Sequence, residues 1–113
     1  MRTSRRGSRA ERRAAWHYRV RGYRILAANV WAGGNELDLV ARRGRSLVFC
    51  EVKERGRDDY GAPAEFVHTE KQRRVRRAAE AWLAVHPELD GLDVSFEVVA
   101  VGPGGLQRTA NAF

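Results

Sequence analysis

At 113 residues and 12.8 kDa the chain is expected to form one small domain, residues 1–113, around a single packed core. Hydrophobic residues make up 43% and charged residues 31%, which reads as globular, and no apolar run approaches the roughly 18–20 residues of a membrane helix. One cysteine rules out an internal disulfide and a zinc ribbon, and the arginine-bearing start lacks the apolar stretch of a secretory signal, so a cytoplasmic setting is the expectation.

The net charge of +7 is unevenly placed. Residues 1–24 hold nine arginines against one acid, Glu11, so the other 89 residues sum to about neutral. An excess gathered in one segment suits a polyanion such as nucleic acid, with Arg9, Arg12 and Arg13 as phosphate contacts; a solubilising basic tail is the plainer alternative. Of 21 basic residues only Lys53 and Lys71 are lysines, the compact point charges of the set.

In chain order, residues 1–7 are expected to be mobile. A first helix is predicted from Ser8 to about Arg21, with Ser8 and Glu11 at capping-box spacing and Gly22 at the C′ position. Ala14, Ala15 and Tyr18 share a face with Glu11. A strand over 23–30 and a Gly33-Gly34 turn follow, then strands over 36–41 and 46–53 joined by Arg42-Arg43-Gly44-Arg45. Residues 54–67 read as a polar loop. A second helix over about 70–86 shows the stripe Val75, Ala78, Ala79, Trp82, Leu83 of a core-facing helix and stops before Pro87. A strand over 94–101 and a short edge strand over 106–110 complete the order α-β-β-β-α-β, an α/β fold with a mixed sheet flanked by helices.

The central hairpin places the candidate chemistry. Glycine at the first central position favours a two-residue type II′ turn at Gly44-Arg45, which pairs Arg43 with Ser46. Following that register back opposes Val40 with Phe49, Asp38 with Glu51, and Glu36 with Lys53, all on one face. Leu37, Leu39, Ala41, Val48, Cys50 and Val52 form an apolar set on the other. Opposed Cβ atoms stand about 4.5–5.5 Å apart, close enough for two carboxylates to share one divalent cation. Hard oxygen donors such as Asp38 and Glu51 suit Mg²⁺ or Mn²⁺, which activates water and offsets phosphate charge, with Lys53 placed to position that water or stabilise the transition state. The alternative is structural: a Glu36–Lys53 cross-strand ion pair, with Asp38 and Glu51 at a solvated rim.

Asn35-Glu36-Leu37-Asp38-Leu39-Val40 followed by Leu47-Val48-Phe49-Cys50-Glu51-Val52-Lys53 resembles the uncharacterised YraN-type family, with its G-E-I-D-L-I and F-V-E-V-K segments. The likeness continues through Gly22-Tyr23, Asn29, Gly61 with Pro63, Lys71-Gln72, Trp82-Leu83 and Asn111-Ala112-Phe113. The resemblance implies a restriction-endonuclease-like, PD-(D/E)xK fold similar to archaeal Holliday-junction resolvases. It implies Asp38 and Glu51 as metal ligands, Lys53 as the catalytic lysine, and Glu11 as a further acid of the metal site. From its position alone Glu11 is equally a capping or dipole partner. Lys71 matches a lysine at the start of the second helix, where it contacts phosphate or is a plain surface charge. Asn35, Glu54 and Ser95-Phe96-Glu97 depart from the family pattern.

Cys50 reads as a small core residue, and His17, His68 and His86 show no ligand spacing. Trp82 reads as core, and packing is favoured over base stacking for Trp16 and Trp31. The leading expectation is a metal-dependent nuclease acting on DNA, branched or structured, with a homodimer as one way to address both strands. The alternatives are a catalytically silent nucleic-acid-binding module of the same fold, and a protein-interaction domain whose arginines meet an acidic partner.

Overall fold

The computed structural model describes residues 3–56 and 69–113, with side chains from residue 9. Helix α1 spans Thr3–Arg19. Its start lies five residues before the expected Ser8, so Ser8 falls within the helix rather than at its N-terminal boundary. The end closes as expected at Gly22, whose N–H donates to the Arg19 carbonyl at 3.0 Å while Tyr23 N–H donates to that of Tyr18 at 3.0 Å. The expected polar loop falls mostly in residues 57–68, which with His68, Gly61 and Pro63 lie outside the described residues.

Five strands follow: β1 Arg24–Ala32, β2 Asn35–Arg43, β3 Ser46–Glu54, β4 Asp93–Gly102 and β5 Gly105–Thr109. They form one sheet in sequence order, antiparallel throughout except for the parallel β3–β4 pair. A parallel pair needs a crossover, and α2, Thr69–Ala84, lies within it. A 3₁₀ turn at Pro87–Leu89 then leads into β4.

The sheet carries a helix on each face. Ala10, Ala14, Ala15 and Tyr18 of α1 bury against Leu39, Ala41, Val48 and Cys50. Val75, Ala78, Ala79 and Trp82 of α2 bury against Val40, Leu47 and Phe49, with the Trp82 indole edge-on to Phe49 at 5.9 Å. Both predicted helix stripes are therefore the buried ones, and Trp82 and Cys50 are core residues. The hairpin turn is as expected: Gly44 takes φ +59, Arg45 does not have positive φ, and Arg43 pairs with Ser46.

One expected facing is wrong. Leu37 clusters with Val40, Leu47 and Phe49 on the α2 face, not with Leu39 on the α1 face. Regular alternation thus breaks between Leu37 and Leu39, with Asp38 at the break.

Candidate active site

Asp38 sits where two strands part. The β2–β3 ladder runs from Arg43 opposite Ser46 to Leu39 opposite Cys50 and goes no further. Beyond that point β2 stays paired with β1 as far as Asn35, and β3 stays paired with β4 as far as Glu54. Val52 N–H donates to Asp38 Oδ2 at 2.9 Å, so a side-chain carboxylate takes up a backbone donor released by the parting strands. The expected register holds through Val40–Phe49, whereas Asp38–Glu51 and Glu36–Lys53 are not ladder pairs.

Glu51 lies one residue past the ladder on β3, its side chain only 16% exposed. Its Oε2 stands 3.1 Å from Lys71 Nζ, which the first turn of α2 brings over the sheet. Burial pushes the Asp38 carboxyl up to about 8, assisted by the charge of Glu51, opposed by the Val52 N–H, and raised further by Glu11 and Glu36. Glu51 is also raised, again first by burial, with Lys71 holding it back. Two carboxyl groups held together in a largely buried place thus resist ionising together.

Glu11 of α1 is half-buried and acts on Asp38 through its charge. Among the described residues no three His, Cys, Asp or Glu side chains are gathered closely enough to hold a metal ion by themselves. The structure therefore brings together Asp38 and Glu51, with the charge of Glu11 felt at Asp38. Lys53 is half-buried two residues beyond Glu51 and forms no ion pair among the described residues, so the Glu36–Lys53 bridge of the structural alternative is not made.

Arg9, Arg12 and Arg13 are exposed on α1 and line a groove with Trp16 and His17. Lys71, read from sequence as a phosphate contact or a surface charge, is the ion-pair partner of Glu51. No local pattern could reveal that pairing, since it depends on how α2 docks. Trp16 and Trp31 are 64% and 65% exposed, against the expectation of packing. His86 caps the end of α2, its Nδ1 2.7 Å from the Trp82 carbonyl and its ring stacked on the indole at 4.0 Å.

A second polar group escaped sequence reasoning. Glu97, 4% exposed on β4, accepts from the Tyr18 hydroxyl at 2.6 Å and from Arg108 Nε at 2.8 Å, and Arg108 also reaches the Tyr23 hydroxyl at 3.3 Å. The only sequence signal was its place in Ser95-Phe96-Glu97, a departure from the family pattern. Its groups are paired with one another, which marks it as a tie between α1, β4 and β5.

No helix among the described residues is long and apolar enough to cross a membrane. The model of an uncharacterised protein family, UPF0102, matches residues 10–101, a span that includes Glu11, Asp38, Glu51, Lys53 and Lys71. The chain is 43% identical over 109 residues to a UPF0102 protein of Azorhizobium caulinodans, covering 96% of this chain and 82% of that one. It is 44% identical over 109 residues to one of Methylorubrum extorquens, covering 96% and 84%, and 44% identical over 105 residues to one of Frankia casuarinae, covering 88% of each. With most of its length matched both by the family model and by these relatives, the chain belongs to UPF0102, the YraN-type family.

Proposed function

We propose that the protein is a divalent-cation-dependent nuclease of the restriction-endonuclease-like fold, cleaving phosphodiester bonds in structured DNA in the cytoplasm. The observation that carries this reading is the pairing of Asp38 and Glu51 at the parting of β2 and β3, both with raised pKa values. A purely structural charge cluster gains nothing from two buried acids that repel each other.

The donor set fits Mg²⁺ or Mn²⁺. Both ligands are hard carboxylate oxygens, and a cation of this kind needs only one or two from the protein when phosphate and water complete its shell. Asp38 and Glu51 would hold the ion, with Glu11 adding negative field from α1. When bound, the ion would supply Lewis-acid stabilisation of charge on the phosphate and a more acidic water.

The protein's own groups do the rest. Lys53, unpaired with any acid among the described residues, offers a positive charge to the phosphate oxygens as negative charge develops on them. Lys71 neutralises Glu51, and from beside the carboxylate that would hold the ion its charge would also lie near a bound phosphate. Arg9, Arg12 and Arg13 hold the backbone of the nucleic acid without reading its sequence.

The test is isothermal titration of Mn²⁺ and Mg²⁺ into the wild type and Asp38→Ala, paired with cleavage of a panel of branched and flapped DNAs. Saturable binding and cleavage, both lost in the variant, is the expected result. A second reading, a catalytically silent nucleic-acid-binding module, draws on the Lys71–Glu51 ion pair, which already balances one acid without a metal. It predicts DNA binding that survives Asp38→Ala and no saturable metal uptake by either protein.

A further inference from the structure

α1 presents a cationic stripe that the packing of the core does not use. Arg9, Arg12, Arg13 and Trp16 recur at helical spacing on the side turned away from Ala10, Ala14 and Tyr18, and they line a groove of about 630 Å³ walled on its far side by Leu106 of β5. Arg21 and His17 line it too, and among the described residues no acid does. From Arg9 to Val20 the stripe runs about 16 Å along the helix axis.

Trp16 is the unexpected member. An indole 64% exposed in the middle of four arginines covers no core and gains nothing from water. An aromatic face interleaved with guanidinium groups is what an unpaired base and its flanking phosphates require. His17 adds a polar atom: its Nε2 is buried and has no hydrogen-bond partner among the described residues. Burial, then the charges of Arg21 and Arg108, lower its pKa and favour a neutral ring, against the opposing pull of Glu97.

Arg9 and Arg13 line a second hollow whose other side is Glu54, Arg55 and Gly102, immediately past Lys53 on β3. One arginine pair thus bridges the stripe of α1 and the strand that carries Glu51 and Lys53. We infer that the α1 groove is a docking track for a single-stranded nucleic-acid segment, with its phosphates on Arg9, Arg12 and Arg13 and one base stacked on Trp16. This rests on the nucleic-acid part of the proposed function and narrows it to substrates with an unpaired arm.

The experiment is a titration of a dT oligonucleotide of about twelve residues into the full chain in EDTA, read by quenching of tryptophan fluorescence. Metal and cleavage play no part in this readout, so it stands or falls separately from the metal site, and Asp38→Ala should bind as the wild type does. Quenching is expected in the wild type and in Trp31→Phe, and its loss in Trp16→Ala with an affinity about tenfold weaker. Trp16→Phe, which keeps a stacking face, should restore most of that affinity. An oligonucleotide of abasic residues should bind the wild type no better than dT binds Trp16→Ala. Replacing both Arg12 and Arg13 by Gln should flatten the slope of log affinity against log salt by about 1.4. Equal affinity of wild type and Trp16→Ala would overturn the inference. So would binding of polyglutamate as tight as that of dT, which would mark the stripe as a surface for an acidic protein.

Discussion

Val52 donates its backbone N–H to the Asp38 carboxylate at 2.9 Å, one step beyond the last ladder pair of β2 and β3. The bond fixes the acid in the fork between the strands and lets β2 leave β3 without stranding a backbone donor. It offsets only part of the cost of burying Asp38, whose pKa stays raised to about 8.

That cost sets a pH dependence of stability. The folded protein keeps a proton on Asp38 that the unfolded chain releases near the ordinary value of 3.8. This contribution is fully present below about 4, declines as pH rises, and is lost above about 8. Asp38→Asn keeps an oxygen for the Val52 N–H and removes the titration. At pH 8 without divalent ions it should unfold at higher temperature than the wild type, by about 2 kcal/mol or roughly 8 °C, and by much less at pH 4. Thermal melts at the two pH values check this; an equal difference at both would detach the effect from ionisation.

Lys71 stands 3.1 Å from Glu51 but is 43% exposed, so their ion pair is discounted for solvent. Lys71→Met should cost about 1 kcal/mol in EDTA at pH 8.5. With saturating Mn²⁺ the cost should shrink if the proposed ion is held there, because the metal would take over the charge balance of Glu51. By linkage the variant must then bind Mn²⁺ more tightly than the wild type. Denaturant melts with and without Mn²⁺ measure both quantities.

Glu97 is the deepest charge among the described residues, and Arg108 holds both of its oxygens, at 2.8 and 3.2 Å. Removing Arg108 leaves that carboxylate with only the Tyr18 hydroxyl. Arg108→Ala should cost about 3 kcal/mol, and the double variant Glu97→Gln, Arg108→Ala should recover part of it. Urea unfolding of the three proteins tests the pairing; a double variant no more stable than Arg108→Ala would deny it.

Gly33 and Gly34 form the β1–β2 turn with φ of +57 and +78, yet they are not equivalent. A Cβ on Gly33 would lie 3.0 Å from the Arg77 carbonyl and 3.2 Å from the Ala81 Cβ of α2, whereas one on Gly34 meets nothing within 4 Å. Both alanine variants bear the strain of a left-handed backbone, about 1 kcal/mol. Gly33→Ala should cost at least about another 1 kcal/mol as α2 is pushed off the sheet. Comparative melts of the two variants provide the check.

Local rules and tertiary facts divide this molecule clearly. The Gly44-Arg45 turn determines the hairpin register, and the alanine-rich stripes identify the buried helix faces, because turn geometry and helical period are properties of short segments. The facing of Leu37 was not legible, since alternation assumes a ladder that continues, and this one stops where Asp38 caps Val52. The Lys71–Glu51 and Arg108–Glu97 pairs join residues 20 and 11 apart and arise only when α2 and β5 dock. Trp16 reads as a packing residue by composition, and its exposure follows from α1 burying its alanines and Tyr18 instead.

If Asp38 and Glu51 hold the proposed ion, their raised pKa values would also govern its uptake. A divalent ion binds ionised carboxylates, so below about pH 8 it must displace the proton held by Asp38. Affinity for Mn²⁺ should therefore climb by up to about tenfold per pH unit between 6 and 8 and level off above that. Titrations at pH 7 in two buffers of different ionisation enthalpy should show close to one proton released per ion bound. Glu51 sharpens the dependence, because an ionised neighbour is part of what keeps Asp38 protonated. Glu51→Gln should bring the pKa of Asp38 down while removing one ligand, giving weaker binding with a shallower pH profile. A site indifferent to pH in the wild type would place the ion elsewhere than between these two acids.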